Sequence, residues 1–507
     1  MRLDYLLKDI EGLPALTETE SANVITGIST DPNLCRPGFL YLAAESETVD
    51  STRYGVRLDG RKYIANAAEN GASTVITDSA AVIPRLTKKR ILLLRHQEPL
   101  SILGKLCANF YSERPDQIAL VTGTNGKTST VNFARMMWAA ANWKSCSVGN
   151  LGGVCSDGSI VWQRDPTLSV PETVFMHEML RTIKRRGINH IAMEATSHAL
   201  FDFRLHGLPA TVGAFSNLTR DHLDFHGTME EYFRVKMLLF TEVLAPGSFA
   251  VINADGAWSE KAIEICKERK HHLIAYGQNG GAIKLLSIER NRDGQKLHLN
   301  VLGKNYEVQI GLHGYFQASN AMCALGIVIA TGVAPEKAVA LMEKLTPVEG
   351  RLNVVAESPS GGKIVVDYAH SPDGIRAALE ACRSFTSGKL LVVFGCNGER
   401  DSGKRLDMGI IASKLADQVI VTDAHPRSED PDTIRAQILE GAPRAYNIAN
   451  RESAIDVAIR ETVKGDTVLI AGLGHEKFRT IGNIRVPYSD TETVERIIRE
   501  IKDERRR

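Results

Sequence analysis

The chain has 507 residues, of which 43% are hydrophobic and 24% charged, and its formal net charge is +1. That length exceeds what a single hydrophobic core holds and calls for roughly two to four domains. The balanced charge excludes a general pull toward nucleic acid or an anionic membrane surface.

Met1–Pro14 has acidic residues and only a short apolar stretch, so it does not read as a signal peptide. The longest apolar region, Ala321–Val333, is broken by glycine and too short to cross a bilayer, which predicts a buried helix and no membrane insertion. The eight cysteines form no CxxC pair, as expected for reduced thiols in a cytoplasmic protein. No internal repeat is seen.

The first unit runs to about residue 105, with strands expected at Gly38–Ala43, Ser73–Ile76 and Arg90–Leu94 and a helix at Tyr63–Asn70. A second unit (106–346) follows. It opens with the apolar run Ala119-Leu120-Val121-Thr122, the small-residue turn Gly123-Thr124-Asn125-Gly126, and then Lys127-Thr128-Ser129 at the start of a helix. Such a loop brings backbone N–H groups around phosphate oxygens at a positive helix end. Lys127 would reach the β- and γ-phosphates of a nucleoside triphosphate, and the Thr128 hydroxyl would bind Mg²⁺. The general pattern is incomplete, since Val121 stands six positions before the lysine where glycine is usual. A bare Gly-Lys-Thr is also compatible with a simple helix-capping turn, and the strand-turn-helix setting carries the phosphate reading.

Further apolar runs at Ile188–Met193, Val212–Phe215 and Ser248–Ile252 suggest a largely parallel, helix-covered sheet with ligands at its carboxyl ends. Glu194 ends the first of these runs and is placed to bind Mg²⁺ directly or through water. The second leads into Ser216–Gly227, a polar run whose burial is costly unless its groups bind one another or a ligand. There His222 could ligate a metal, while Asp221 and Asp224 could orient loops or helices. Thr228 and Glu231 have capping-box spacing before a helix at Tyr232–Phe240 that carries Lys236 among apolar residues. Ile283–Gln309 reads as antiparallel ribbons and Tyr315–Leu345 as helix-rich. Past a boundary at Pro347–Arg351, a third α/β unit (347–507) has strands at Lys363–Asp367, Lys389–Phe394, Gln418–Thr422 and Thr467–Ala471, each ending in polar or glycine residues. Asp503–Arg507 reads as a solvated helix end.

These motifs together resemble the Mur ligases, ATP-dependent amide-bond-forming enzymes of cell-wall precursor synthesis, and their MurE-type branch in particular. The resemblance rests on Gly123–Thr128, Glu194 with Ser197–Leu200, Asn217–Gly227, Lys236, Gly350-Arg351, Asp367–Asp373, Phe394–Cys396, Arg400-Asp401 with Gly403–Arg405, and Gly474–Glu476. It implies an α/β fold of three domains, for a UDP-sugar, for ATP on a central P-loop parallel sheet, and for an amino acid on a C-terminal Rossmann-like unit. The implied cofactors are ATP and Mg²⁺. The partners are a UDP-linked muramoyl peptide and an amino acid, with meso-diaminopimelate favoured, and the chain is expected to be a monomer.

By the same resemblance Lys127, Glu194, His222 and Lys236 are the catalytic residues, with Thr128, Glu194, His222 and a carbamylated Lys236 at the metals. Gly123, Thr124, Asn125, Gly126, Lys127, Thr128, Ser129, Asn320, Arg351, Asp367 and His370 would hold the nucleotide. Ser169, Ser197, Arg204, Arg400, His425, Arg427, Gly472 and Glu476 would hold the substrates. The departures concentrate at the substrate contacts. They are Pro32-Asn33 for Ser-Arg, Ser169-Val170 for two threonines, Ala424-His425 for Asp-Asn, and Leu473 for Lys; on the adenine side Gln317 stands where Asn is usual. Two alternatives to the cell-wall ligase follow: a relative joining another carboxylate and amine, and a non-catalytic binding subunit.

Overall fold

The structure, a computed structural model, describes residues 1–45, 59–81, 91–163, 168–291 and 293–506. The first sheet has four parallel strands in the order Gly27–Ser29, Phe39–Ala43, Ala72–Thr77, Leu92–Arg95. Residue 90 of the expected third strand lies outside the described residues, and Gly27–Ser29 was too short to read as a strand. The helix Pro99–Phe110 packs Leu103, Leu106 and Cys107 into this sheet's core.

The central sheet has eleven strands. Six consecutive parallel neighbours form its middle: His272–Gly277, Phe249–Asn253, Val212–Phe215, Gln117–Thr122, His190–Glu194 and Ser145–Gly149. Their near-continuous apolar sequences follow from burial on both faces. Alternate residues of one strand feed two cores, Ala119 and Val121 one and Ile118 and Leu120 the other. One flank is the expected antiparallel ribbon, resolved into Ile283–Asn291, Gly294–Val301 and Lys304–Ile310. The other flank, Gly152–Cys155 and Ile160–Trp162, has no counterpart in the sequence reading. The apolar segment at Ala321 lies in the buried helix Tyr315–Ala330, which packs on the phosphate-loop helix Lys127–Ala140.

The third sheet has six strands in the order Asn353–Glu357, Lys363–Asp367, Thr467–Ala471, Leu390–Phe394, Gln418–Val421, Tyr446–Asn447. All pairings but the first are parallel. The chain ends in the helix Asp490–Glu504. Among the described residues no helix is long and apolar enough to cross a membrane.

Candidate active site

Strands Gln117–Thr122, His190–Glu194 and Val212–Phe215 are adjacent, so their carboxyl ends gather the phosphate loop, Glu194 and the Ser216–His226 segment. Gly123 and Gly126 are required there by space and by conformation. Their φ values are 142° and 89°, and a Cβ would lie 2.0 Å from Ser216 Oγ and 2.2 Å from Asn320 Oδ1. Ser216 Oγ donates to the Asn125 carbonyl at 2.6 Å and Asn217 Oδ1 accepts from the Asn125 N–H at 2.9 Å, which fixes the loop from the neighbouring strand.

Lys127 folds back on its own loop, its Nζ donating to the carbonyls of Gly123 (2.9 Å) and Thr124 (2.8 Å). Burial, partly offset by Glu194 and Asp221, lowers its pKa. Thr128 Oγ1 donates to Glu194 Oε1 at 2.9 Å, and Ser129 is buried in the helix behind it. Glu194 is fully buried and accepts twice more, from the Asn150 N–H at 2.8 Å and its side-chain amide at 3.2 Å. Asn150 sits in the tight turn Gly149-Asn150-Leu151-Gly152 and accepts in turn from Ser169 Oγ at 2.8 Å. Sequence reading missed Asn150. Its only signal was the Gly149-Asn150-Leu151-Gly152 turn between short small-residue segments, which hints at a hairpin but not at the carboxylate the hairpin tip would meet.

Lys236 is 1% exposed, and its Nζ donates to Gly123 O at 2.9 Å and lies 4.3 Å from the centre of the Tyr232 ring. Burial, reinforced by Lys127, holds its pKa well below the usual lysine value, which favours the neutral amine. The helix carrying it is capped by Thr228 Oγ1, which accepts from the Glu231 N–H. The second half of the expected capping box is not made, because the Glu231 carboxylate forms a bidentate pair with Arg234. His222 adopts a left-handed conformation (φ 54°), uncommon for a residue with a Cβ and a mark of local constraint. Desolvation, with His370, Lys236 and Lys127 nearby, lowers its pKa despite Asp221, which favours a ring able to offer a lone pair.

The third unit meets this site. Arg351 Nη2 donates to Thr128 Oγ1 at 3.1 Å, and its guanidinium lies 4.4 Å from the centre of the Tyr368 ring. Gln317 donates to the Arg351 carbonyl at 3.2 Å and also accepts from Asn320. The helix Tyr315–Ala330 and the third unit are thus linked. Asp367 turns inward, accepting from the N–H groups of Leu352 (2.6 Å) and Ala369 (2.7 Å). It shapes the loops that carry Arg351 and His370. Burial raises its pKa, and Arg351 opposes that shift. Asp221, 6% exposed, has His222, His370 and Lys404 each at 3.6 Å. Burial works against its charge, yet the facing His222, His370 and Lys404 side chains hold its pKa well below the carboxylate range. Beside it Arg220 pairs with Asp401 at 3.1 and 3.3 Å, bridging the two units.

The expected substrate residues are split between this cleft and local partners. Ser197 Oγ is 2.9 Å from His226 Nε2, and Arg204 pairs with Asp202 at 2.9 Å. Arg204 and Arg400 both bear on His198, whose pKa burial and neighbouring cationic groups hold well down. His425 Nδ1 accepts from the Thr480 N–H at 2.9 Å, which ties it to the hairpin Phe478–Ile481/Ile484–Pro487. Arg427 (φ 57°) bridges to Ile481 of the same hairpin. Gly472 donates to Asp367 O, and Glu476 is buried close enough to Arg351 to act on it electrostatically.

A phosphate loop facing a buried carboxylate, a buried lysine and an arginine from a second α/β unit defines a nucleotide-dependent ligase cleft. Residues 121–328 match the Mur ligase middle domain, and residues 350–474 match the Mur ligase glutamate ligase domain. A UDP-N-acetylmuramoyl-L-alanyl-D-glutamate–2,6-diaminopimelate ligase of Mesorhizobium japonicum is 39% identical over 495 residues, spanning 97% of this chain and 99% of the relative. The like-named protein of Rhizobium meliloti is 39% identical over 479 residues, 94% of this chain and 95% of its own. A solved structure of that name superposes with a TM-score of 0.68 at 27% identity, covering 96% of this chain and 98% of that one. The MurF ligase of Thermotoga maritima, solved with ADP, shares the fold at a TM-score of 0.62 and 18% identity, covering 94% of this chain and 98% of its own.

The chain belongs to the Mur ligase family, with that family's three-domain architecture. Within it the chain is of the MurE type, an ATP-dependent acid–amino-acid ligase.

Proposed function

We propose that the protein joins an amino group of meso-diaminopimelate to the glutamyl carboxylate of UDP-N-acetylmuramoyl-L-alanyl-D-glutamate at the expense of ATP, a step of peptidoglycan precursor synthesis. One observation carries the reading: Lys127, Thr128, Glu194, His222 and Lys236 converge at adjoining strand ends, faced by Arg351 and by His370 and Lys404 around Asp221. Relatives named for that reaction match nearly the full length, which supports the choice of substrates. Residues 1–105 then hold the UDP-sugar, 106–346 hold ATP, and 347–507 hold the incoming amino acid.

The chemistry follows from charge. The carboxylate oxygen attacks the γ-phosphorus, ADP leaves, and an acyl phosphate forms. Lys127 releases its loop carbonyls and pairs with the phosphates, while the backbone from Gly123 to Thr128 cradles them and Asn320 lies on the adenine side. The amine nitrogen then attacks the acyl carbon, inorganic phosphate leaves, and the nitrogen gives up its proton. Docking of the third unit excludes the water that would hydrolyse the acyl phosphate.

Thr128 and Glu194 are a hard-oxygen pair 2.9 Å apart, which suits Mg²⁺. Among the described residues no three His, Cys, Asp or Glu side chains converge as a ready-made cage, in keeping with an ion that takes much of its shell from phosphates and water. Bound there, Mg²⁺ supplies neutralisation of phosphate charge. The Lys236 amine, buried and with its pKa held well below the usual lysine value, suits addition to CO₂, giving a carbamate and a proton; the carbamate would join His222 at a second ion. Ser169, Ser197, Arg204 and Arg400 would line the muramoyl peptide, and Arg427, Glu476, Gly472 and His425 the diamino acid, with Arg427 on its second carboxylate.

Purified protein with ATP and Mg²⁺ should release phosphate only when both substrates are present, with a product heavier by one diaminopimelate less one water. A product from a different carboxylate and amine, and none from this pair, would overturn the substrate assignment. That alternative has one observation in its favour: His425 is already engaged by Thr480, where an amino-acid contact is expected.

A further inference from the structure

All eight cysteines are buried and unbonded, but two of them face each other. Cys146 in Ser145–Gly149 lies directly opposite Cys155, the last residue of Gly152–Cys155, in an antiparallel pair. The next pair outward is hydrogen-bonded, since the Ser156 N–H donates to Ser145 O at 2.8 Å. By alternation Cys146 and Cys155 occupy a non-hydrogen-bonded position, where facing side chains approach most closely. Their sulfurs are 3.5 Å apart. A disulfide needs about 2.0 Å and a Cα separation within the range of such facing pairs, so modest χ1 rotations close the gap.

The surroundings suit thiol chemistry. The Cys155 thiol donates to the Cys146 sulfur, and Cys155, the nearer of the two to the exposed turn at Asp157 and Gly158, is the one that peroxide reaches first. Arg135 lies within electrostatic reach of both sulfurs. Access comes from position: these strands are two of the last three at one end of the eleven-stranded sheet, and Cys155 leads straight into an exposed turn at Asp157 and Gly158. The end of a sheet, here closed only by the three-residue strand Ile160–Trp162, opens locally at a fraction of the global unfolding cost.

We infer that Cys146 and Cys155 form a reversible thiol-oxidation site, closed to an intramolecular disulfide by hydrogen peroxide. The Cys155 thiolate attacks one peroxide oxygen and the O–O bond breaks. The departing hydroxide takes a proton to become water, leaving a sulfenic acid on Cys155. The Cys146 sulfur attacks that sulfur, the S–S bond forms as the S–O bond breaks, and the hydroxide released takes the Cys146 proton. Two thiols and one peroxide thus become one disulfide and two waters, the sulfurs giving up the two electrons that reduce the peroxide.

The site has a route to the cleft. The hairpin joined by these cysteines carries Asn150 at its tip, and Asn150 holds both oxygens of Glu194. Turning both side chains into the bond repacks the core under the hairpin, through which the tip would feel the oxidation. Outer partners of this kind are worth about 10- to 100-fold in activity, so oxidised protein should turn over at least about tenfold more slowly.

The test is a peptide map of the whole protein after graded hydrogen peroxide and alkylation of the remaining thiols. A dithiothreitol-sensitive peptide linking Cys146 to Cys155 should form before any other cysteine reacts. Both recovered as free thiols once other cysteines have reacted, or Cys155 recovered as sulfinic acid without the link, would overturn the site. With a 1,3-dicarbonyl trap, Cys146→Ser should label at Cys155, and labelling only of Cys146 in Cys155→Ser would reverse the assigned order. The rate arm rests on the ligase reading, whereas the map does not. Linked protein with an unchanged rate of phosphate release would overturn the coupling to Asn150.

Discussion

Docking of the third unit on the phosphate-loop unit should depend on two neighbouring charges, Arg220 and Asp221. Arg220 reaches across Gly403 to both oxygens of Asp401 at 3.1 and 3.3 Å, but its side chain is 45% exposed. A pair so hydrated contributes about 1 kcal/mol, which corresponds to about a fivefold shift between docked and open forms. Arg220→Ala should therefore lower kcat/KM for the amino acid by roughly that factor. Asp221 is a different case. It is buried with Lys404, itself 4% exposed, and its removal leaves an ammonium without its counter-charge. Breaking a buried pair costs about 3–5 kcal/mol, and the 3.6 Å separation places this one at the lower end, so Asp221→Ala should cut kcat/KM by about a hundredfold. The assays are initial-rate phosphate release across amino-acid concentrations, and small-angle scattering of the protein with a non-hydrolysable ATP analogue. The double exchange Arg220→Asp/Asp401→Arg should recover most of the single-variant loss. Equal rates and scattering for wild type and Asp221→Ala would refute the reasoning.

Lys236→Ala should abolish turnover, by at least about a hundredfold, because it removes the buried amine beside Gly123; added bicarbonate should not restore it, while circular dichroism should be unchanged. His177 is buried, and desolvation, aided by Arg114, lowers its pKa to about 3. The unfolded chain therefore binds a proton that the folded chain refuses between pH 6.5 and about 3, so stability is intact above 6.5 and falls as pH drops through that window, by up to about 1.4 kcal/mol per unit. Thermal melts of His177→Leu should show a shallower acid limb than wild type, and an identical limb would contradict the assignment. Arg451 and Asp490 form a fully buried pair at 2.7 Å, so Asp490→Ala should cost about 3–5 kcal/mol in denaturant melts. Arg451→Met/Asp490→Leu should recover most of that loss, because no charge then remains buried.

Much of this molecule is written locally. Chain segments that are apolar on both alternations, such as Ile188–Met193 and Lys363–Asp367, become parallel strands because both faces must be covered. Gly123 and Gly126 announce the phosphate loop because no other residue fits those positions. The short flanking strands were silent. Ser145–Gly149 and Gly152–Cys155 mix small and polar residues; the first is a strand because it pairs with His190–Glu194, and the second because it folds back on the first.

The cleft divides the same way. Lys127, Thr128, Glu194, His222 and Lys236 were legible because each follows a strand or rides a helix whose pattern is local. Their partners were not. Asn150 on Glu194, Arg351 on Thr128, Arg220 on Asp401 and Lys404 on Asp221 join residues between 44 and 223 positions apart. Sequence by itself determined the family, the phosphate loop and the residues available for chemistry, since those depend on side-chain type and short-range spacing. Tertiary structure alone decided which charges neutralise one another and which substrate-side groups are already engaged, because burial and cross-unit contact are set by the packing of whole sheets.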